Sequence, residues 1–360
     1  TLGWKIGDVI TFSPTQSQGK PATRTIASFP SNNTIRVDAP LTIAQDANVT
    51  VWVCNLTRNV LVRSSGTNVF GDTARLDSLA EDATSFALTY GEFAYIGRFN
   101  NSGIGFNRGS VSSSTVRNGM WGISTRSNNT MVSNIFKSNY FAGIYIGGSN
   151  NIIQSNHGMD YSGIWIEKGG QNLVKDNILY ANNVGIELLW NANRNTVIGN
   201  SIFANYQGIS IQGVSDNLIV NNKVYLNYSQ GIGFGNYYGP AKQNTLIDNH
   251  VYSNTYSGIW NDDAFDNQII GGAIGFRPDG SSAPNGSESE IIFHIEYLPQ
   301  HDLSSIESLS LKETRVNLSS GFNPNTIDDE GKYLISYNQN SDKGVIRLWG
   351  DYTISQSTLT

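Results

Sequence analysis

The sequence predicts an all-β chain built around a right-handed, single-stranded parallel β-helix (a solenoid) with β-rich flanking segments. Three observations predict it. A Gly-Ile or closely similar pair recurs at Gly103, Gly122, Gly143, Gly163, Gly185, Gly208, Gly231 and Gly258, at intervals of 19 to 27 residues. That is the length of one solenoid coil. Asparagines keep the same period in three columns, and short apolar strands lie between them with no 3.6-residue pattern.

The first asparagine column is Asn129, Asn151, Asn172, Asn195, Asn217, Asn244 and Asn267. The second is Asn134, Asn156, Asn177, Asn200, Asn222 and Asn249. The third is Asn139, Asn182, Asn205, Asn227 and Asn254, interrupted by Asp160. Asparagine tolerates left-handed backbone at corners, and stacked amides hydrogen-bond between coils at ~4.8 Å spacing. These columns are structural. Met131, Ile153, Val174, Val197, Ile219 and Leu246 make one inward column, and Ile144, Ile164, Ile186, Ile209, Ile232 and Ile259 another. A single coil cannot close its own apolar surface, so stability comes from stacking and the ends need caps.

Composition agrees. Gly, Asn, Ser, Thr and Tyr are abundant and the strong helix formers are scarce. Lys and Arg total 23 against 29 Asp and Glu in 360 residues, a net charge of −6. A charge set so sparse and acidic argues against a nucleic-acid partner. No stretch approaches the roughly 20 apolar residues of a membrane-spanning helix, so no membrane insertion is expected. The one cysteine, Cys54, lies among Trp52, Val53 and Leu56 and reads as a small buried hydrophobe. The opening Thr1-Leu2-Gly3-Trp4 reads as the interior of something longer.

Before the coils, residues 1–65 read as strands broken by turns, at Val9–Phe12, Thr34–Val37, Val49–Val53 and Val60–Val62. Trp4, Gly7 and Asp8, then Pro40-Leu41, then Leu56-Thr57-Arg58-Asn59-Val60 follow in order. With these residues the segment resembles the later half of a G8 domain leading into its β-helix. The coils of 66–276 resemble the parallel β-helix repeat family, of the PbH1 and NosD-like kind. The resemblance implies an extracellular or cell-surface protein, and for some eukaryotic relatives hyaluronan binding or degradation. The His-x-His expected after Arg98 in those relatives is absent, which argues against a hyaluronidase-like activity. Residues 277–290 are Pro-, Gly- and Ser-rich and read as a linker or excursion. Residues 291–360 alternate as strands and either cap the last coil or begin a small β domain.

Strand alternation places two solvent-facing columns after each Gly-Ile. The first is Ser124, Tyr145, Trp165, Glu187, Ser210, Gly233 and Trp260; the second is Arg126, Gly147, Glu167, Leu189, Gln212, Gly235 and Asp262. Lys168, Trp190, Tyr237, Tyr238 and Asp263 lie at their ends. Aromatic rings stack on sugar faces and carboxylates accept hydroxyl hydrogen bonds, so Tyr145, Trp165, Trp190, Tyr237 and Trp260 are the candidate glycan-binding residues. Packing against loops or against copies of the same chain is the rival use of such aromatics.

For catalysis, Glu167 and Glu187 occupy adjacent coils, as a glycosidase pair requires. His157 with Asp160 is the only His–acid pairing in the coils, and Asp262-Asp263 resembles the paired aspartates of pectin-type hydrolases without their accompanying Gly-His-Gly. A solvated turn is the commoner setting for such a histidine. No metal-ligand spacing, phosphate loop or nucleophile elbow is present, so no cofactor is expected and no motif calls for calcium. Asn-x-Ser/Thr sequons stand at Asn32, Asn48, Asn55, Asn100, Asn128, Asn227, Asn285 and Asn317. The expected function is a structural or adhesive module of a larger cell-surface or filament protein, binding polysaccharide or its own copies. The alternative is a polysaccharide hydrolase, lyase or epimerase.

Overall fold

The computed structural model describes residues 3–42, 45–71, 73–82, 84–97, 103–262, 264, 266–286, 289–294, 309–312, 315–316, 333–339 and 342–348. Short strands stack in parallel register into three long sheets of ten, eleven and ten strands. These are the faces of a right-handed β-solenoid. The first face follows the first asparagine column and includes Asn129–Val132, Ile152–Gln154 and Leu173–Lys175. The second includes Ile135–Lys137, His157–Met159 and Ile178–Tyr180. The third carries the Gly-Ile pairs and has the longest strands, among them Ser162–Glu167, Val184–Leu189 and Gln207–Gln212.

Both predicted inward columns lie in one continuous core, with Met131, Ile153, Ile144 and Ile186 fully buried. The asparagine columns are buried too, and their bonding repeats from coil to coil. Asn177 shows the pattern: its backbone N–H and its side-chain amide both donate to Asn200 Oδ1, at 2.8 and 3.0 Å. The same amide donates backwards to the Ile153 carbonyl at 2.9 Å. Each corner thus satisfies backbone groups that a turn would otherwise leave unmet inside the protein. The third column runs one member further than the sequence reading has it. Asn254 donates to Asn285 Oδ1 at 2.9 Å, across a 31-residue gap.

Parallel pairing begins at Val60–Arg63, six residues before the expected start of the coils. It continues beyond residue 276, where Ser289–His294, Leu309–Lys312 and Arg315–Val316 add a further strand to each face. Tyr333–Gln339 and Asp342–Leu348 form an antiparallel hairpin.

Ahead of the coils, Val9–Phe12, Ala22–Ser31, Thr34–Val37 and Val53–Asn55 form a four-stranded antiparallel sheet. The ten-residue strand Ala22–Ser31 escapes sequence reading because Pro30 sits inside it. This sheet packs Cys54, Leu56 and Trp52 against the outer side of the second face. There Tyr180, Phe203, Tyr225 and Tyr252 stack on successive coils, with ring centroids 5.4, 5.0 and 5.0 Å apart. Covering them keeps a ladder of aromatic surface out of water.

Candidate functional site

The third face is the widest and presents the predicted outward columns. Ser124, Tyr145, Trp165, Glu187, Ser210, Gly233 and Trp260 are direct partners on successive strands. Glu167, Leu189, Gln212 and Gly235 form the second column. Glu167 and Glu187 therefore sit diagonally on neighbouring strands, with Cα atoms roughly 8 Å apart from strand spacing and rise.

Their surroundings differ. Tyr145 Oη donates to Glu167 Oε2 at 3.0 Å, and Lys168 Nζ lies 3.3 Å from Oε1. The same ammonium stands 5.5 Å over the ring of Trp190. Glu187 has no cation. Burial pushes its carboxyl above the ordinary range, opposed only by the Ser162 hydroxyl, which donates to Oε2 at 3.3 Å. Glu167 thus has a hydroxyl and an ammonium at its oxygens, while the Glu187 carboxyl is pushed by burial towards its acid form.

Aromatic rings flank this pair on both sides. Trp165 and Tyr145 pack edge to face at 6.0 Å, with Trp121 5.2 Å from Trp165 and stacked on Phe141 at 4.9 Å. Beyond the other edge Trp190 meets Tyr238 at 4.8 Å, and Tyr238 meets Tyr237 at 4.6 Å. Between Glu187 and Trp260 the column carries only Ser210 and Gly233, which makes a shallow trough. A Cβ at Gly233 would stand 2.6 Å from Gln207 Nε2, the movable end of a side chain. Among the described residues, the buried donors Trp165 Nε1 and Gln207 Nε2 meet no acceptor.

Several candidates fall away from this strip. His157 is on the second face, beneath the N-terminal sheet, with Nδ1 3.1 Å from Cys54 Sγ and its ring edge-on to Trp52. It is not the solvated turn histidine expected, and burial lowers its pKa to about 4. Asp160 does not pair with it: its Oδ1 accepts from the backbone and side-chain nitrogens of Asn139, at 2.7 and 3.0 Å. Asp262 and Trp260 lie three strands beyond Glu187, roughly 14 Å away, so they join no carboxylate pair with it. Trp260 packs on Tyr256 instead. Asp263 lies outside the described residues.

Among the sequons, Asn227 and Asn285 are corrected. Both are buried members of the third asparagine column, their amides spent on Asn254 Oδ1 and the Val251 carbonyl. The Asn55 amide donates to Asp8 Oδ2 at 2.7 Å. Asn32, Asn48 and Asn128 are exposed; Asn100 and Asn317 lie outside the described residues. The sequence reading also passed over Trp121, Phe141 and the exposed Tyr140, Tyr161, Tyr206 and Tyr228. A signal for the tyrosines was present, since each directly follows a third-column residue.

A stack of parallel coils bearing a carboxylate and aromatic strip on one long face defines the class: a right-handed parallel β-helix. Residues 121–274 match the family described as right handed beta helix region. Among solved structures, a mutant of the periplasmic alginate epimerase AlgG is similar with a TM-score of 0.56 at 17% identity, covering 71% of this chain and 64% of that one. The AlgE6 A-module, a mannuronan C-5 epimerase of Azotobacter vinelandii, is similar with a TM-score of 0.49 at 14% identity, covering 64% of each chain. For pectate lyase Pel9A the values are 0.37 and 14%, covering 64% of this chain and 69% of that one. The chain thus spans 64% of the length of the AlgG structure, and what the two share at this identity is the fold. No curated protein matches the sequence.

Proposed function

We propose that this chain is an extracellular, carbohydrate-binding β-helix module of a larger cell-surface protein, its N-terminal sheet of the G8 kind, holding a polysaccharide along the third face. One observation carries the reading: the outward-pointing, half-buried run of Tyr145, Trp165 and Glu187 on consecutive strands, with the buried Glu167 beside it. Aromatic faces at coil spacing suit sugar rings, and carboxylates beside them accept sugar hydroxyls. The names of similar structures, two alginate epimerases and a pectate lyase, agree with a polysaccharide partner.

A second reading, hydrolysis, has its own observation. Burial pushes Glu187 towards the acid form, while Glu167 beside it is contacted by the Tyr145 hydroxyl and the Lys168 ammonium. A general acid beside a base or nucleophile has this asymmetry. A glycan-array screen followed by mass analysis of any bound oligosaccharide separates the two. Binding with the sugar recovered intact supports the module. Shortened products move the assignment to hydrolysis, and silence on every glycan overturns both in favour of assembly with copies of the chain.

A further inference from the structure

Where the N-terminal sheet overhangs the solenoid it leaves a cleft of about 930 Å³ along the corner between the second and third faces. Lys20 lines the sheet side; Lys137, Tyr140, Asp160 and Tyr161 line the corner; Trp165 borders it at the third face. Trp165 is also part of the glycan strip, so cleft and strip are continuous.

Lys137 is the group that needs explaining. Two of its three N–H bonds are used on the hydroxyls of Thr11 and Thr23 in the N-terminal sheet. Among the described residues no carboxylate comes within ion-pair distance of it. The adjoining coil places Arg117 beside it in register, and that charge is already answered by Glu92 at 2.7 Å. A half-buried ammonium without a counter-charge is costly, and an anion in the cleft would relieve the cost. The remaining lining does not supply one. Asp160, the one acid of the cleft, has its pKa raised to about 8 by burial and is neutral below that. Burial and the neighbouring Arg117 lower Lys137 to about 8, so it remains largely an ammonium at neutral pH, and with Lys20 at the mouth the cleft is cationic there.

The other walls are aromatic. Tyr140 and Tyr161 occupy the same corner position on successive coils and are 51% and 54% exposed. Tyr206 and Tyr228 carry that edge onward along the rod, 5.6 Å apart. Exposed rings beside an unanswered cation suit a sugar that carries a negative charge.

We infer that this cleft is a subsite for an acidic sugar, its carboxylate or sulfate on Lys137 and its ring against Tyr140 and Tyr161. The inference rests on the glycan-binding reading and deepens it by fixing the charge class of the ligand. Calorimetry on the full chain tests it with three probes: a galacturonate hexamer, a heparin hexasaccharide and neutral cellohexaose. At least one acidic probe should bind tighter than cellohexaose and lose affinity as salt is raised. Lys137→Met should weaken that probe about tenfold, the loss of one charged hydrogen bond. Lys137→Arg should restore most of it, and cellohexaose binding should not change. The carboxylate and sulfate probes decide which acidic group is read. Because Lys137 also hydrogen-bonds to the N-terminal sheet, Tyr161→Ala serves as a second variant, at a residue that among the described residues makes no hydrogen bond to that sheet's strands, and it should weaken the same probe. Acidic probes that bind no tighter than cellohexaose, or bind Lys137→Met and Tyr161→Ala as they bind the parent, overturn the inference. If Trp190→Ala on the strip lowers binding while both cleft variants are silent, the glycan reading survives and only this subsite fails. If the parent binds none of the three, both fall.

Discussion

Cys54 Sγ lies 3.1 Å from His157 Nδ1, across 103 residues of sequence, and joins the N-terminal sheet to the second face. Burial pushes the Cys54 thiol up to about 12, so at neutral pH it is S–H, which donates to a bare ring nitrogen or accepts weakly from a protonated one. When the thiol donates, the acceptor is the bare Nδ1 of a neutral imidazole with its ring proton on Nε2. Burial lowers His157 from 6.5 to about 4, in the same sense.

The consequence is acid lability of this interface. A histidine whose folded pKa is depressed contributes stability that is full above its unfolded value and lost as pH falls. Here the window runs from about 6.5 down to about 4, and up to about 3 kcal/mol is involved at the low end. Thermal melts followed by Trp fluorescence, which senses Trp52, should show an acid-induced fall. His157→Gln, which cannot titrate, should flatten it; an unchanged slope in that variant refutes the assignment.

Asp160 gives the opposite sign. It replaces asparagine in the third column, and its buried Oδ2 has no partner. Where every neighbouring rung places an amide donor, a neutral carboxyl places its O–H. Burial raises the pKa from 3.8 to about 8, so folding retains a proton that the unfolded chain loses. The stability it contributes is present below about 4 and declines up to about 8. Asp160→Asn restores the donor at every pH. The variant should melt higher than the parent at pH 7, by up to about 4 kcal/mol, with the gap closing towards pH 4. Equal melting at pH 7 would contradict this placement.

The asparagine columns themselves are open to test at Asn200. Its Oδ1 accepts both donors of Asn177, while its amide reaches Asn222 Oδ1 at 2.9 Å and the Val174 carbonyl at 3.0 Å. Asn200→Ala leaves several buried polar groups unmet at once. At about 1–3 kcal/mol per orphaned group, a loss of roughly 3–5 kcal/mol is expected in denaturant unfolding. A cost under 1 kcal/mol would mean that the columns only cap turns.

The period of the fold was legible because each coil must solve the same corner, and asparagine solves it from within the repeat. The register of the outward columns was legible for the same reason, since strand alternation fixes which side chains point away from Ile164 or Ile186. Among them Glu167, Leu189 and Ser210 are nonetheless buried. What lay beyond reading came from contacts between distant segments. The environment of His157 is made by Cys54 and Trp52, and that of Lys137 by Thr11 and Thr23, all more than 100 residues earlier. Asn285 hid behind the excursion of residues 277–284, which broke the period that would have announced it.

Glu187 provides the test of how the third face meets its ligand. Its carboxyl is buried enough to titrate above the ordinary glutamate value and has one hydroxyl donor, from Ser162. If it accepts a sugar hydroxyl, only the ionised form has both oxygens free to do so. Glycan affinity should then fall with pH through a midpoint higher than that of an ordinary glutamate, and Glu187→Gln should abolish that dependence at a cost of about tenfold or less at pH 7. Trp190→Ala removes the ring that carries Lys168 on one side and Tyr238 on the other. It should weaken binding by about 0.5–1.5 kcal/mol and leave the melting temperature nearly unchanged, since Trp190 is 37% exposed at the corner. Affinity titrations between pH 4 and 8 on the parent and both variants decide the matter. A pH-independent affinity in the parent removes Glu187 from the binding strip. A drop in affinity that tracks a drop in melting temperature would make Trp190 a packing residue.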